Sequence, residues 1–117
     1  MSERRQARVA EEIKRRASQF IREELKDPRL GFLTITGVDI NSDLTYATIH
    51  VSVLGTEDEQ RDTMVALQRA KGLIKRDIGD WLSIRTVPDI RIKQDTSVER
   101  GMHVLAIMEG LEKKEDA

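Results

Sequence analysis

The chain of 117 residues has the length of one ordinary domain, and its 38% of hydrophobic residues is enough for one core. Because it has no cysteine, disulfide-stapled scaffolds and thiolate metal sites are excluded, and no apolar run reaches the roughly 18 residues of a membrane span. The N-terminus leads into an amphipathic helix pattern and not into a signal peptide, so we expect a soluble cytoplasmic protein.

The charges are unevenly distributed, although the net charge is only −1. Residues 1–22 hold seven basic and three acidic side chains, and residues 61–93 hold eight basic and four acidic ones. Acidic residues collect instead in Glu57-Asp58-Glu59 and after Met108. A basic face is therefore possible on a nearly neutral protein, although ordinary solvated helix surfaces would give the same pattern.

The first predicted element is an amphipathic helix from about Glu3 to Lys26. Asp27-Pro28 ends it, because the residue before a proline disfavours the α region. The apolar residues that recur at helical spacing are Val9, Ile13, Ala17, Phe20, Ile21 and Leu25.

Over residues 33–54 the hydrophobic period changes to that of β-strands. In the first run the parity of the apolar positions changes around Thr36-Gly37, which predicts a bulge. Asn41-Ser42-Asp43 has turn chemistry, so the two runs form a β-hairpin. The apolar face of the second run consists of Ala47, Ile49, Val51 and Val53.

A second helical stretch runs from about Glu59 to Leu82, with a break predicted at Gly72, where glycine costs about 1 kcal/mol relative to alanine. Trp81 lies on its apolar stripe and is expected in the core, as is Phe20. A short strand follows over residues 90–93. Thr96-Ser97-Val98-Glu99 then has the spacing of a capping box for a C-terminal helix.

The predicted order is therefore α-β-β-α-α-β with an additional C-terminal helix. A three-stranded sheet with one apolar face needs helices to cover it, which predicts a two-layer α+β fold. We expect a single domain over residues 1–111 and a charged tail over residues 112–117.

The sequence contains no recognisable catalytic or cofactor motif. Its two histidines, His50 and His103, fall on a strand face and in the last predicted helix, and no nucleotide-binding or metalloprotease motif occurs. The acid pairs Glu11-Glu12 and Glu23-Glu24 are adjacent in a helix and so point about 100° apart. We therefore predict a protein that is not an enzyme and needs no metal or cofactor.

The segment from Arg69 to Arg76 carries four basic residues and no acidic one. A helix that restarts at Gly72 would expose unpaired amides and the positive end of its dipole, which favour phosphate. The alternative is a glycine tolerated for close packing between solvated lysines. Aromatic residues are scarce and no stacking platform is expected, so RNA would be held through phosphates and shape.

Ala70-Lys71-Gly72 at this break resembles the AxG kink of the ribosome-binding factor A family, which has a type II KH-like fold and lacks the GxxG loop of ordinary KH domains. Similarity to the family covers residues 4–111. One departure is Ile92-Lys93-Gln94, where many members carry aromatic residues, and we expect it to alter only the packing of the last strand. The other matching stretches are Arg8–Ile13, Asp27–Arg29, Asp43–Ala47, Val51–Gly55, Leu82–Arg85 with Pro88, and Asp95–Ser97 before Glu99 and Gly101.

The resemblance implies a ribosome biogenesis factor that binds 16S rRNA in the free, immature small (30S) ribosomal subunit. Such a factor assists late maturation and 5′-end rRNA processing without catalysis, often with importance in the cold. We expect a cytoplasmic monomer that cooperates with other assembly factors and contacts no membrane. The alternatives are a KH-like protein-interaction module with incidental RNA contact and, thirdly, a small hydrolase. By position the family's RNA-binding role falls on Arg4, Arg5, Arg8, Arg15, Arg69, Ala70, Lys71, Gly72, Lys75, Arg76 and Arg85.

Overall fold

The computed structural model describes residues 3–82 and 86–95. These residues form the predicted α-β-β-α-α-β order. Arg85, the capping box at residues 96–99, the C-terminal helix and the tail lie outside the described residues. The elements are α1 (Glu3–Glu23), β1 (Leu33–Ile40), β2 (Tyr46–Val53), α2 (Glu57–Arg69), α3 (Lys71–Leu82) and β3 (Asp89–Gln94).

Helix α1 ends at Glu23, three residues before the predicted end. The amides that follow it, those of Glu24 and Leu25, both donate to the carbonyl of Phe20, at 2.9 and 3.0 Å. This shared acceptor closes the last turn before the chain reaches Pro28. The proline therefore lies in the next turn and does not itself end the helix.

The hairpin forms as predicted, including its bulge. Strands β1 and β2 pair antiparallel, and their register shifts between Ile35 and Gly37, where one extra residue is inserted. In the turn, the side-chain oxygen of Asn41 accepts hydrogen bonds from the amides of Thr45 and Tyr46, at 2.9 and 3.0 Å. This confirms the predicted turn chemistry at Asn41.

The core lies between one face of the sheet and the helices. Strand β2 is central, with β1 antiparallel on one side and β3 parallel on the other. Its apolar face, from Ala47 to Val53, is at most 1% exposed. Helices α1 and α3 contact each other, α1 covers β1, and α3 packs against β3. Both helices therefore lie on the same side of the sheet. Fully buried side chains from these layers include Ile13, Ile49, Ile74 and Ile78.

Helix α2 begins at Glu57, two residues earlier than predicted. Thr56 and Glu59 form a capping box: the Glu59 amide donates to Thr56 Oγ1 at 3.1 Å, and the Thr56 amide donates to Glu59 Oε1 at 3.2 Å. The acidic cluster at residues 57–59 also complements the helix dipole. It therefore has a local structural role.

The prediction that Trp81 is a core residue is wrong, because its side chain is 61% exposed. The buried stripe of α3 is formed by Ile74 and Ile78, with Leu82 packed partly against the core. Trp81 lies at the edge of the contact between α1 and α3, with the Arg16 guanidinium 4.3 Å from its ring centroid. Phe20, in contrast, packs against the core as predicted.

Candidate nucleic-acid interface

The break between the second and third helices lies at Ala70. This residue is 6% exposed and keeps right-handed helical angles, φ −86° and ψ −1°. Its amide is shared between the carbonyls of Ala66 and Leu67, both at 3.1 Å, and the helical ladder resumes where Ile74 N–H donates to Ala70 C=O at 3.0 Å. The predicted restart at Gly72 is thus corrected to Lys71. A small alanine of the core cluster occupies the break, and its negative φ does not require the freedom of glycine.

The first amides of α3 belong to Lys71, Gly72 and Leu73. They precede the first bond across the break, so they begin the helix without an intrahelical acceptor and carry the positive end of its dipole. Gly72 adds access to them, because a Cβ built on it would meet no atom within 4 Å. An anion can therefore approach this turn without displacing a described part of the protein.

Lys75 has a carboxylate partner in the folded protein. Its Nζ lies 2.5 Å from Asp89 Oδ1 at the start of β3. The hydrogen bond from Lys75 and then its positive charge hold the pKa of the Asp89 carboxyl below its ordinary value. The sequence predicts an RNA-binding role for Lys75 but gives no sign of this partner. The pair depends on β3 returning to α3, so local sequence could not show it.

The other cations at the break make no ion pair with any described residue. Arg69 and Arg76 are exposed and Lys71 is half-buried. Arg76 also lines a shallow groove of about 470 Å³ together with Gly72, Lys75 and the acidic Asp80. We call Arg69, Lys71, Gly72 and Arg76 the break cluster. It places cations that have no described ion-pair partner on either side of the amides that begin α3.

The predicted arginines of α1 form a second basic surface. Arg4, Arg8 and Arg15, joined by Arg22, fall within about 40° of one another around the helix axis and are all exposed. The exposed Glu11 lies on the same face, so the surface carries four basic side chains and one acidic one. We call these four residues the arginine stripe. It lies opposite the buried side of α1 and so points away from the sheet. Arg5 is exposed too, but it projects about 100° away from Arg4 and is not part of this stripe.

A buried ion pair that the sequence analysis missed joins the two surface helices. Arg16 is only 8% exposed, and its Nε and Nη2 each lie 2.6 Å from a carboxylate oxygen of Asp77 on α3. The hydrogen bond to Asp77 raises the pKa of the Arg16 guanidinium. The paired residues are 61 positions apart, so only the packing of α1 on α3 reveals them. This bidentate contact holds the arginine stripe in a defined orientation relative to α3.

Besides the break cluster and the arginine stripe, the described residues contain no cluster of side chains suited to binding a metal. Over residues 3–82 and 86–95, no group of three or more histidine, aspartate or glutamate side chains could hold an ion. Nor does any helix there have the length and apolarity needed to cross a membrane. His50 lies on the sheet face opposite the helices, with Nε2 2.8 Å from Asp39 Oδ2. The chemistry that the arrangement supports is the binding of a polyanion.

Comparison with known proteins identifies the family that the sequence resembles, and the match covers nearly the whole chain. The model of the ribosome-binding factor A family matches residues 5–108, which include the break cluster and most of the arginine stripe. A ribosome-binding factor A from Desulfitobacterium hafniense is 43% identical over 116 residues, covering 99% of this chain and 93% of that protein. The resemblance seen in the sequence is thereby confirmed.

Solved structures agree with this result. The solution NMR structure of a Thermotoga maritima protein named as a ribosome binding factor A has a TM-score of 0.72 at 33% identity, over 83% of this chain and 92% of that one. A homology model of the Thermus thermophilus ribosome binding factor A, fitted into the cryo-EM map of its complex with the 30S subunit, shares the fold with a TM-score of 0.64 at 23% identity, over 78% and 96% of the two chains. These likenesses confirm the predicted α+β, KH-like fold. The chain belongs to the ribosome-binding factor A family.

Proposed function

We propose that this protein binds the free small ribosomal subunit, contacts its 16S rRNA and assists late maturation, including processing of the rRNA 5′ end. The observation that carries the proposal is the family match over residues 5–108. The Thermus thermophilus relative, whose coordinates were fitted into a map of a 30S complex, supports the choice of partner. The protein acts by binding alone, without making or breaking a bond.

The break cluster supports direct contact with rRNA phosphates. Arg69 and Arg76 are exposed cations, and neither is in an ion pair with a described residue that would have to open when it meets a phosphate. The amides that begin α3 add hydrogen-bond donors to the same position. Lys75 differs, because its bond to Asp89 must open before it can reach RNA. We therefore expect Arg76 to contribute more than Lys75 to binding.

The arginine stripe supplies the second part of the proposed contact. It lies on the same side of the molecule as α3, because both helices cover one face of the sheet. The Arg16–Asp77 pair holds the two helices together, so the two basic surfaces keep a fixed spacing. A rigid protein that fits one arrangement of rRNA better than others shifts the subunit toward that arrangement. This is how binding alone can assist maturation.

The experiment is charge reversal at the break cluster. The triple variant Arg69→Glu, Lys71→Glu, Arg76→Glu should lose binding to purified free small subunits, measured by co-sedimentation, and should fold normally. Wild-type binding should fall steeply as salt is raised, because phosphate contacts release counterions. In cells that contain only the variant, 16S rRNA with an unprocessed 5′ end should accumulate.

Lys93→Glu is the matched control. Lys93 is exposed on β3 and points away from the helices, so its reversal changes charge on the other face. Undiminished binding by the triple variant together with a weak salt dependence would contradict the proposal. That result would favour the alternative function, a protein-interaction module with incidental RNA contact. Turnover of RNA or nucleotide by the pure protein would contradict the non-catalytic part.

A further inference from the structure

The end of α3 carries an exposed tryptophan whose role the phosphate contacts do not explain. Trp81 is the single tryptophan of the chain, and 61% of it is open to solvent. Aromatic side chains of this size bury large apolar areas when they serve a core. An exposed tryptophan beside a basic surface therefore has no such role in the core, and its ring is available to contact a ligand.

The ring is held in place from one side. The Arg16 guanidinium lies 4.3 Å from the ring centroid, which is within the range of a cation–π contact. Arg16 is itself fixed by its two 2.6 Å bonds to Asp77 and by a 3.3 Å contact with Glu24. The indole thus has a rigid cationic support, and ordering it on binding costs little side-chain entropy.

Beside the ring lies a groove of about 400 Å³ between α1 and α3. Arg15, a member of the arginine stripe, lines it next to Trp81, which places a cation beside an aromatic surface. Glu12 and Gln19 also line it and can hydrogen-bond the polar edge of a planar ligand. The volume is in the range of small-ligand sites.

We infer that Trp81 is a stacking platform for one unpaired nucleobase of bound RNA, with Arg15 on the neighbouring phosphate. This inference rests on the proposed RNA-binding function and adds a base contact to it. Stacking on an aromatic ring accepts any base, so the site selects for an unpaired nucleotide more than for a sequence. It also revises the sequence-based expectation that no stacking platform is available.

Fluorescence of the single tryptophan tests the inference directly. Titration with a single-stranded oligoadenylate should quench the emission of the wild-type protein in a saturable manner. A fully paired RNA duplex of the same length carries phosphates but no free base, so it should leave the emission largely unchanged. Equal quenching by the duplex, or none by the single strand, would overturn the inference.

Binding to purified free small subunits gives the second test. Trp81→Leu should bind about tenfold more weakly, equivalent to ~1.4 kcal/mol, because it keeps an apolar side chain but loses the stacking surface. Trp81→Phe should bind nearly as well as wild type. Leu54→Ala is the control, since Leu54 is an apolar side chain that is 65% exposed and belongs to neither basic surface.

The outcomes separate this inference from the proposed function. Normal binding by Trp81→Leu, alongside lost binding by the break-cluster variant, would reject the platform and keep the proposed function. Normal binding by both would reject both. If Trp81→Phe is as weak as Trp81→Leu and both unfold at lower temperature, the tryptophan is structural and the inference fails.

Discussion

Replacing Gly72 by alanine tests whether the space beside the first turn of α3 is empty in the free protein. The residue lies in the first turn of α3, does not have a positive φ, and would place its Cβ more than 4 Å from any described neighbour. The new methyl group therefore meets no obstacle in the free protein. Alanine is favoured over glycine within a helix by about 0.5–1 kcal/mol. We expect Gly72→Ala to be more stable than wild type by about 0.5 kcal/mol.

The measurement is thermal unfolding followed by circular dichroism. For a domain of this size, ~0.5 kcal/mol corresponds to a rise of about 2 °C in the midpoint. Gly72→Leu should fold as well, because Gly72 is exposed and borders an open groove. A midpoint that drops by several degrees in Gly72→Ala would refute the reading of Gly72 as unobstructed.

Binding separates the two roles of this position. If phosphate reaches the first amides of α3, a leucine at Gly72 stands between them and the RNA. Gly72→Leu should then bind free small subunits at least about tenfold more weakly, the loss of one charge-assisted contact of ~1.5 kcal/mol or more. Gly37→Ala is the control, since Gly37 also has no atom within 4 Å of an ideal Cβ and lies on the hairpin. Full binding by Gly72→Leu would refute the amide contact.

Two further predictions concern the contacts of α3 with the chain around β3. A Cβ on Gly79 would lie 2.7 Å from Val87 Cγ2, so Gly79→Ala should lower the free energy of unfolding by about 1 kcal/mol, after the helical preference of alanine is counted. Adding Val87→Ala should restore part of that loss. A Gly79→Ala variant with a higher midpoint of thermal unfolding than wild type would contradict this. Lys75→Gln should be less stable than wild type near neutral pH, because the pKa of Asp89 is lowered in the folded state by its bond to Lys75. That difference in stability should shrink as the pH falls below about 4, the ordinary pKa of an aspartate, and vanish once the pH is below the lowered pKa of Asp89 in the folded state. Urea unfolding that shows the same difference at all pH values would contradict this prediction.

Much of the fold was predictable because its signals are local. The bulge before Gly37 follows from a change in the parity of apolar residues within one strand, and the turn follows from the chemistry of Asn41. The start of α2 was predictable too, since Thr56 and Glu59 have the capping-box spacing. The acidic residues 57–59 obscure this signal, because a run of acids is equally typical of an exposed loop.

The candidate site was predictable in composition but not in arrangement. The basic residues from Arg69 to Arg76 stand out in the sequence, and so does the family resemblance of the segment that contains them. Their ion-pair partners cannot be predicted from the sequence, because the residues next to a charged side chain do not indicate which distant residue it will contact. Lys75 is paired by a residue on β3, whereas Arg76 is left without a described partner.

By itself, the sequence determined the element order, the strand faces, the position of the break to within two residues, and the family. Each of these depends on hydrophobic period, turn chemistry or motif spacing, which neighbouring residues carry. Only the tertiary structure decided which cations are neutralised and which aromatic ring stays in solvent. Those outcomes depend on distances between residues far apart in the chain, such as the 61 positions between Arg16 and Asp77. Such distances arise only when α1, α3 and β3 pack on the central strand.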